Sequence, residues 1–162
     1  MLTLYKEGMK CEGYFKFEFF QDGQFIGDTD WIKNQLTVAN REYRQSMLDG
    51  SAVAKGYDID DLRIRYIALG DGLTLATIND TQLENELFRR AVTSVVTVNG
   101  ETQAITVFPP PVANFRIREI GVFCRGANDQ ANSGLMISRI NVDVTKTSNI
   151  TMNVVRMDRT VI

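Results

Sequence analysis

From residue 91 onward the chain is a succession of strand-length apolar segments bounded by turn formers: residues 91–98, 103–108, 115–124, 135–144 and 150–157. Val, Ile, Thr and Phe dominate these runs, and each is short enough for a strand, so the second half points to a β-rich fold. Asn99-Gly100 separates the first two, and that dipeptide supplies the left-handed backbone of a type I′ hairpin turn. Pro109-Pro110-Pro111 cannot continue a ladder, so it reads as a rigid extended connection between sheets or along an edge. Residues 126–134, rich in Asn, Asp, Ser and Gly, have the composition of a surface loop between paired strands. Ile140, Val142 and Val144 alternate, as do Ile150, Met152 and Val154, with polar Lys146-Thr147-Ser148-Asn149 between them, which predicts a closing hairpin.

The first half mixes element types. Phe15, Phe17 and Phe19 alternate with Lys16 and Glu18, and Asp22-Gly23 follows, which predicts a hairpin over residues 14–26 with one aromatic and one charged face. Thr37 is placed to cap a helix running to about Leu48, with Asp49-Gly50 as its stop and Ala39, Tyr43 and Met47 as a narrow inward stripe. Such a helix is expected on a sheet edge or end. Residues 51–61 read as a loop, and residues 62–69 as a strand entering the core, broken by Gly70-Asp71-Gly72. Thr81 and Glu84 have capping-box spacing, which predicts a short helix over 81–89 with Leu83 and Leu87 on its buried side and Arg89-Arg90 near its C-terminal end.

At 162 residues the chain has the length of one domain, 1–162, and its 44% apolar content is ordinary for a globular protein. A net charge of -2 with no basic cluster argues against binding to nucleic-acid phosphates. The absence of histidine removes the commonest metal ligand and the commonest general base near neutral pH, so conventional catalytic triads are excluded. Cys11 and Cys124 are too few for a disulfide framework and lack zinc spacing, and are expected to be reduced and buried. No apolar run approaches the ~20 residues of a membrane span, and no N-terminal run has the make-up of a secretion signal, so assembly in a cytoplasm without membrane contact is expected.

The segment Phe115-Arg116-Ile117-Arg118-Glu119-Ile120-Gly121-Val122-Phe123 carries hydrophobic side chains on both parities, so it belongs inside a sheet. Gly121 marks a bulge or a close backbone approach, and Arg118 beside Glu119 suggests polar groups that meet partners rather than water. The segment resembles the "FxIREIGLF" strand in the baseplate-attachment domain of bacteriophage tail-collar fibre proteins. Tyr66-Ile67-Ala68-Leu69-Gly70-Asp71-Gly72 and Thr81-Gln82-Leu83-Glu84-Asn85-Glu86-Leu87-Phe88-Arg89-Arg90 resemble a second pattern of that family, "YxAxGdG" followed by "T.L.nE..R". Ile32-Lys33-Asn34-Gln35-Leu36-Thr37 resembles the entry to the first helix of many phage tail proteins, although the usual following Gly is replaced near Ala39-Asn40. These blocks stand in the family's order and cover roughly residues 32 to 124.

The resemblance implies a non-enzymatic structural protein of a phage tail or baseplate, present in the virion and assembled in the host cytoplasm. Its implied partners are other tail or baseplate proteins, tail fibres and further copies of itself, as a trimer or hexamer. In the resembling proteins a fibre shaft follows this domain, whereas this sequence stops at Ile162, so an adaptor, plug or anchoring role is expected. Candidate interface and structural residues are Glu86, with Arg89, Arg118 and Glu119 as possible ion partners, and Phe15, Phe17 and Trp31 as contact surface.

Other constellations carry less. Asp58, Asp60 and Asp61, or Asp28 with Asp30, could offer oxygen to calcium, but neither has EF-hand spacing and ordinary loop carboxylates are the better reading. The Gly70-Asp71-Gly72 turn could cradle an anion, although a plain turn is commoner. Glu84 and Glu86 are spaced wrongly for joint acid-base work on a helix. The competing functional class is a carbohydrate-binding β-sandwich that stacks host glycans on Trp31. No catalytic residue, cofactor or metal is assigned. The expected architecture is a mainly antiparallel β-sandwich or flattened barrel with one medium and one short helix.

Overall fold

The computed structural model describes residues 10–161 and shows a mainly β fold of two antiparallel sheets and one α-helix, a sandwich whose sheets do not close. The first sheet contains β1 (Lys10–Gln21), β2 (Gln24–Asp28), β3 (Ile32–Lys33), β7 (Ser94–Val98), β8 (Glu101–Phe108) and β11 (Thr151–Val161). Its order is β2-β1-β11-β8-β7, with β3 also on β1. The second contains β4 (Gln35–Leu36), β5 (Tyr66–Gly70), β6 (Glu86–Ala91), β9 (Arg116–Phe123) and β10 (Met136–Thr145), in the order β4-β10-β9-β5-β6. The chain switches sheets at both lateral edges, from β3 to β4 on one side and from β6 to β7 on the other. Among the described residues no helix is long and apolar enough to cross a membrane.

Phe15 and Phe17 face inward from β1, opposite Arg156 and Val154 of β11, and are fully buried. They join Ile67, Leu69, Phe108, Ile117, Ile120, Val122, Met152 and Val154 in one core between the sheets. Each large side chain buried there contributes roughly 1.5–3 kcal/mol. This corrects the expectation that Phe15 and Phe17 form a contact surface. Their alternation marked a strand with one apolar face, and that face found the second sheet. Arg156 also lies in the interior, where its guanidinium meets Asp158 at 2.6 and 2.9 Å and the Ser138 hydroxyl of the facing sheet at 3.1 Å.

The turns at Asp22-Gly23 and Asn99-Gly100 have positive φ at both central residues, as type I′ geometry requires. The prolines lead from β8 in one sheet to β9 in the other. The helix α1 (Val38–Asp49) starts at Thr37, whose hydroxyl accepts the Asn40 amide, and ends at Gly50 with φ 77°. It packs on β10, beside β4 at the sheet edge. Its buried residues are Asn40, Tyr43 and Ser46, which corrects the Ala39-Tyr43-Met47 stripe. Two of the three inward residues are small and polar: Asn40 bonds the Ile137 carbonyl of β10, and Ser46 bonds the Tyr43 carbonyl within its own helix.

Three further expectations are overturned. Residues 81–89 form no helix: Glu86–Ala91 is β6, paired with β5, because the free edge of β5 offers backbone partners that a short helix would leave unmade. The strand of residues 62–69 begins only at Tyr66, since Ile59–Leu62 is a 3₁₀ turn capped by Asp58 and Asp61. β10 and β11 do not pair as a hairpin but lie in different sheets. Their alternation is nonetheless explained, because Ile140 and Val144 of one sheet and Met152 and Val154 of the other belong to the same core. Lys146 anchors the crossing, with its ammonium on the Pro110 carbonyl and the Asn114 amide oxygen.

Candidate functional site

β9 is the middle strand of the second sheet, flanked by β10 and β5, as its two apolar faces predicted. Glu119 sits in it with no solvent exposure. One carboxylate oxygen accepts the amides of Gly72 at 3.1 Å and Asn85 at 2.8 Å, and the other accepts the Glu84 amide at 3.0 Å. Arg139 of β10, itself buried, completes the set with Nε and Nη2 at 3.0 and 2.9 Å from that second oxygen. An isolated carboxylate here would be very costly, and four donors offset its desolvation.

Arg139 extends the network outward. It bonds Asp80 at 2.8 Å, the Thr74 carbonyl at 2.9 Å and the Thr74 hydroxyl at 3.1 Å. Asn141 holds the Thr74 carbonyl and the Ala76 amide, while Glu84 accepts both the amide and the hydroxyl of Thr74. The Val38 amide at the start of α1 bonds the Ile78 carbonyl. Burial pushes the Asp80 carboxyl up, but the Thr77 amide and Arg139 outweigh it and hold it below the usual 3.8. The amide and hydroxyl of Thr74 hold Glu84 below its usual 4.5. Residues 71–85, which connect β5 to β6, are thereby bound down at many points despite having no regular structure.

Three glycines make room for this arrangement. A Cβ on Gly70 would strike the Asn85 carbonyl, and one on Gly72 would lie 2.5 Å from the Glu119 carboxylate. A Cβ on Gly121 would meet Leu83 at 3.0 Å and Phe123 at 2.9 Å, so the predicted close approach is that of Leu83 onto the strand. Of the Gly70-Asp71-Gly72 turn, the Gly72 amide meets an anion, and that anion is the chain's own Glu119. The sequence blocks around residues 66–72, 81–90 and 115–123 converge on one carboxylate.

The bound loop turns apolar side chains to solvent. Leu73 is 69% exposed and Leu75 79%, with Ile78 about half exposed. Beside the two leucines lies a groove of about 300 Å³ lined by Arg116, Arg118, Asn141, Val142 and Asp143. Arg116 and Asp143 form a bidentate pair at its rim, which raises the former's pKa and lowers the latter's through their mutual hydrogen bonds. An apolar centre with a charged, wet rim is the anatomy of a protein contact surface.

Glu86 pairs with Arg89 at 2.5 and 2.8 Å, as expected, but Arg118 and Glu119 are not its partners: the first faces the groove and the second serves the loop. The pair lies on a strand rather than a helix. A one-residue register shift between β5 and β6 leaves Leu87 unmatched and brings residues 86 and 89 to the same face. Arg89 stacks 4.4 Å from the Phe123 ring and bonds the carbonyls of Asn128 and Ser133, while Glu86 accepts the Asn132 amide. Together they fasten the loop between β9 and β10.

Trp31 is 39% exposed, and the Lys16 ammonium lies 5.0 Å from its ring centroid. Asp58 and Asp61 cap the 3₁₀ turn, Asp60 pairs with Arg65, and Asp28 accepts the Asp30 amide. Among the described residues no three His, Cys, Asp or Glu side chains gather as metal ligands. Cys124 is buried and its thiol is pushed up to about 12 by that burial, whereas Cys11 is half-buried. Sequence reasoning missed Arg139, Asp80, Leu73 and Leu75. The signal for Arg139 was an arginine on a strand between the apolar Ile137 and Ile140. Searches of protein-family models, curated proteins and solved structures found no match to this chain.

Proposed function

We propose that the chain is a structural component of a bacteriophage tail or baseplate, joining tail to fibres or acting as an adaptor through assembly with neighbours and with copies of itself. In this reading it is a virion protein whose work is docking and makes or breaks no bond. The observation that carries the reading is the convergence just described. Blocks that resemble the tail-collar fibre family, far apart in sequence, meet at Glu119, and their shared product is a braced loop presenting Leu73 and Leu75. Bracing matters because ordering a loop of this length on contact would consume much of the binding free energy. Pre-ordered leucines beside a charged groove can dock without that cost. Repetition by symmetry would multiply modest contacts into a stable ring.

The test is complementation of the encoding phage with a Leu73→Ser, Leu75→Ser chain. Both side chains are exposed, so urea unfolding should shift by no more than about 0.5 kcal/mol. Particle yield, or incorporation of the chain into particles, should collapse. Normal incorporation of a normally folded variant would contradict the assignment of this loop as the docking element.

A further inference from the structure

We propose that two copies of this chain join edge to edge through β7, pairing antiparallel about a two-fold axis at Val96. This deepens the assembly reading by naming the partner and the contact, and rests on it for its biological meaning. The argument starts from backbone geometry. The Asn99-Gly100 turn makes Val98 and Glu101 the closing hydrogen-bonded pair of the β7–β8 hairpin, and antiparallel alternation assigns the same type to Val96–Gln103 and Ser94–Ile105. Val95 and Thr97 therefore direct their amide and carbonyl groups away from β8, toward an edge that pairs with no other strand among the described residues. A two-fold at Val96 sets Val95 opposite Thr97 of the second copy and Thr97 opposite its Val95. Every outward donor then meets an outward acceptor.

The side chains agree with the backbone. β7 reads Ser-Val-Val-Thr-Val, without a charge, and Val95, Val96 and Val98 are 53%, 52% and 58% exposed. Proteins ordinarily guard a free edge with charge, brevity, a bulge or a cover. The other edges here are guarded: β2 carries Asp28 and pairs with β1 through a register shift, β6 carries Glu86, Arg89 and Arg90, and β3 and β4 are two residues long. An uncharged edge is complementary to itself, since no like charges meet across the axis. Val96 and Val98 share a face with Ile105, Val155 and Met157, with Gln103 and Glu101 as their direct neighbours on β8, so pairing would set the valines of both copies side by side in one continuous sheet.

Sedimentation equilibrium of the purified chain over a wide concentration range tests this, with Thr97→Pro and Val96→Lys as variants. Proline at 97 removes an outward donor and leaves the backbone bonds to β8 in place, at the cost of the exposed Thr97–Thr102 hydroxyl contact, and lysine at 96 puts like charges at the axis. The wild type should dimerise, and each variant, folded by circular dichroism, should weaken the dimer at least about tenfold. A wild type that stays monomeric throughout, or a dimer indifferent to both changes, would overturn the proposal. So would association lost in Leu73→Ser, Leu75→Ser but kept in Thr97→Pro, which would move the contact to the loop. The two readings fail separately: a β7 dimer that never enters a particle sinks the tail assignment alone, and a particle-borne chain that is monomeric in solution sinks this pairing alone.

Discussion

Glu119 is a carboxylate without solvent contact in the central strand of a sheet, held by three backbone amides and one arginine. Glu119→Ala would leave those amides without their acceptor and Arg139 with Asp80 as its remaining carboxylate, so unfolding free energy in urea should fall by roughly 3–5 kcal/mol. A loss below about 1 kcal/mol would mean that the network is as dispensable as a surface pair. The sequence marked Glu119 as a residue seeking a partner but could not say which one. Arg139 lies twenty residues away across a loop, and Gly72 and Asn85 are further still. Spacing carries information about neighbours on one element, whereas these contacts are made by chain segments that only the sheet order brings together. Glu86 and Arg89 were legible as a pair for the opposite reason, being local, though the register shift that aligns them was not.

Among the elements, the loop of residues 71–85 responds most directly to pH. Asp80 and Glu84 are both held below their usual values of 3.8 and 4.5, so their contribution to folding is complete above those values and is lost as pH falls through the depressed folded ones. Hydrogen exchange, expressed relative to the unstructured rate at each pH, should show the amides of Gly72, Thr74, Ala76, Glu84 and Asn85 losing protection on acidification below 4.5. The amides of β9 and β11 should keep theirs over the same first interval. Uniform loss across all these positions would make the bracing part of global unfolding. Turn chemistry predicted the β1–β2 and β7–β8 hairpins and both ends of α1 because Asp-Gly, Asn-Gly, Thr and Gly act within a few residues. Residues 81–89 misled because Thr81 and Glu84 fit a local cap, while the vacant edge of β5 and the amide acceptors of Glu119 favoured an extended chain.

For the whole molecule, the mainly β sandwich followed from the short alternating runs, but sheet membership did not. β10 and β11 both show alternating apolar residues in sequence, and alternation alone cannot distinguish two strands paired side by side from two strands facing each other across a core. The assembled picture is a sandwich with a braced, leucine-bearing loop at one place and an unguarded strand edge at another, which offers two distinct surfaces for building a repeating structure. The most direct test of the docking account is cryo-EM of purified tailed particles from the source that encodes this chain, which the proposal takes to be a phage. The account predicts two-sheet density for it at a symmetry-repeated position in the tail or baseplate, with the loop of residues 71–85 against a neighbour. Intact particles that contain no copy of the chain would contradict it.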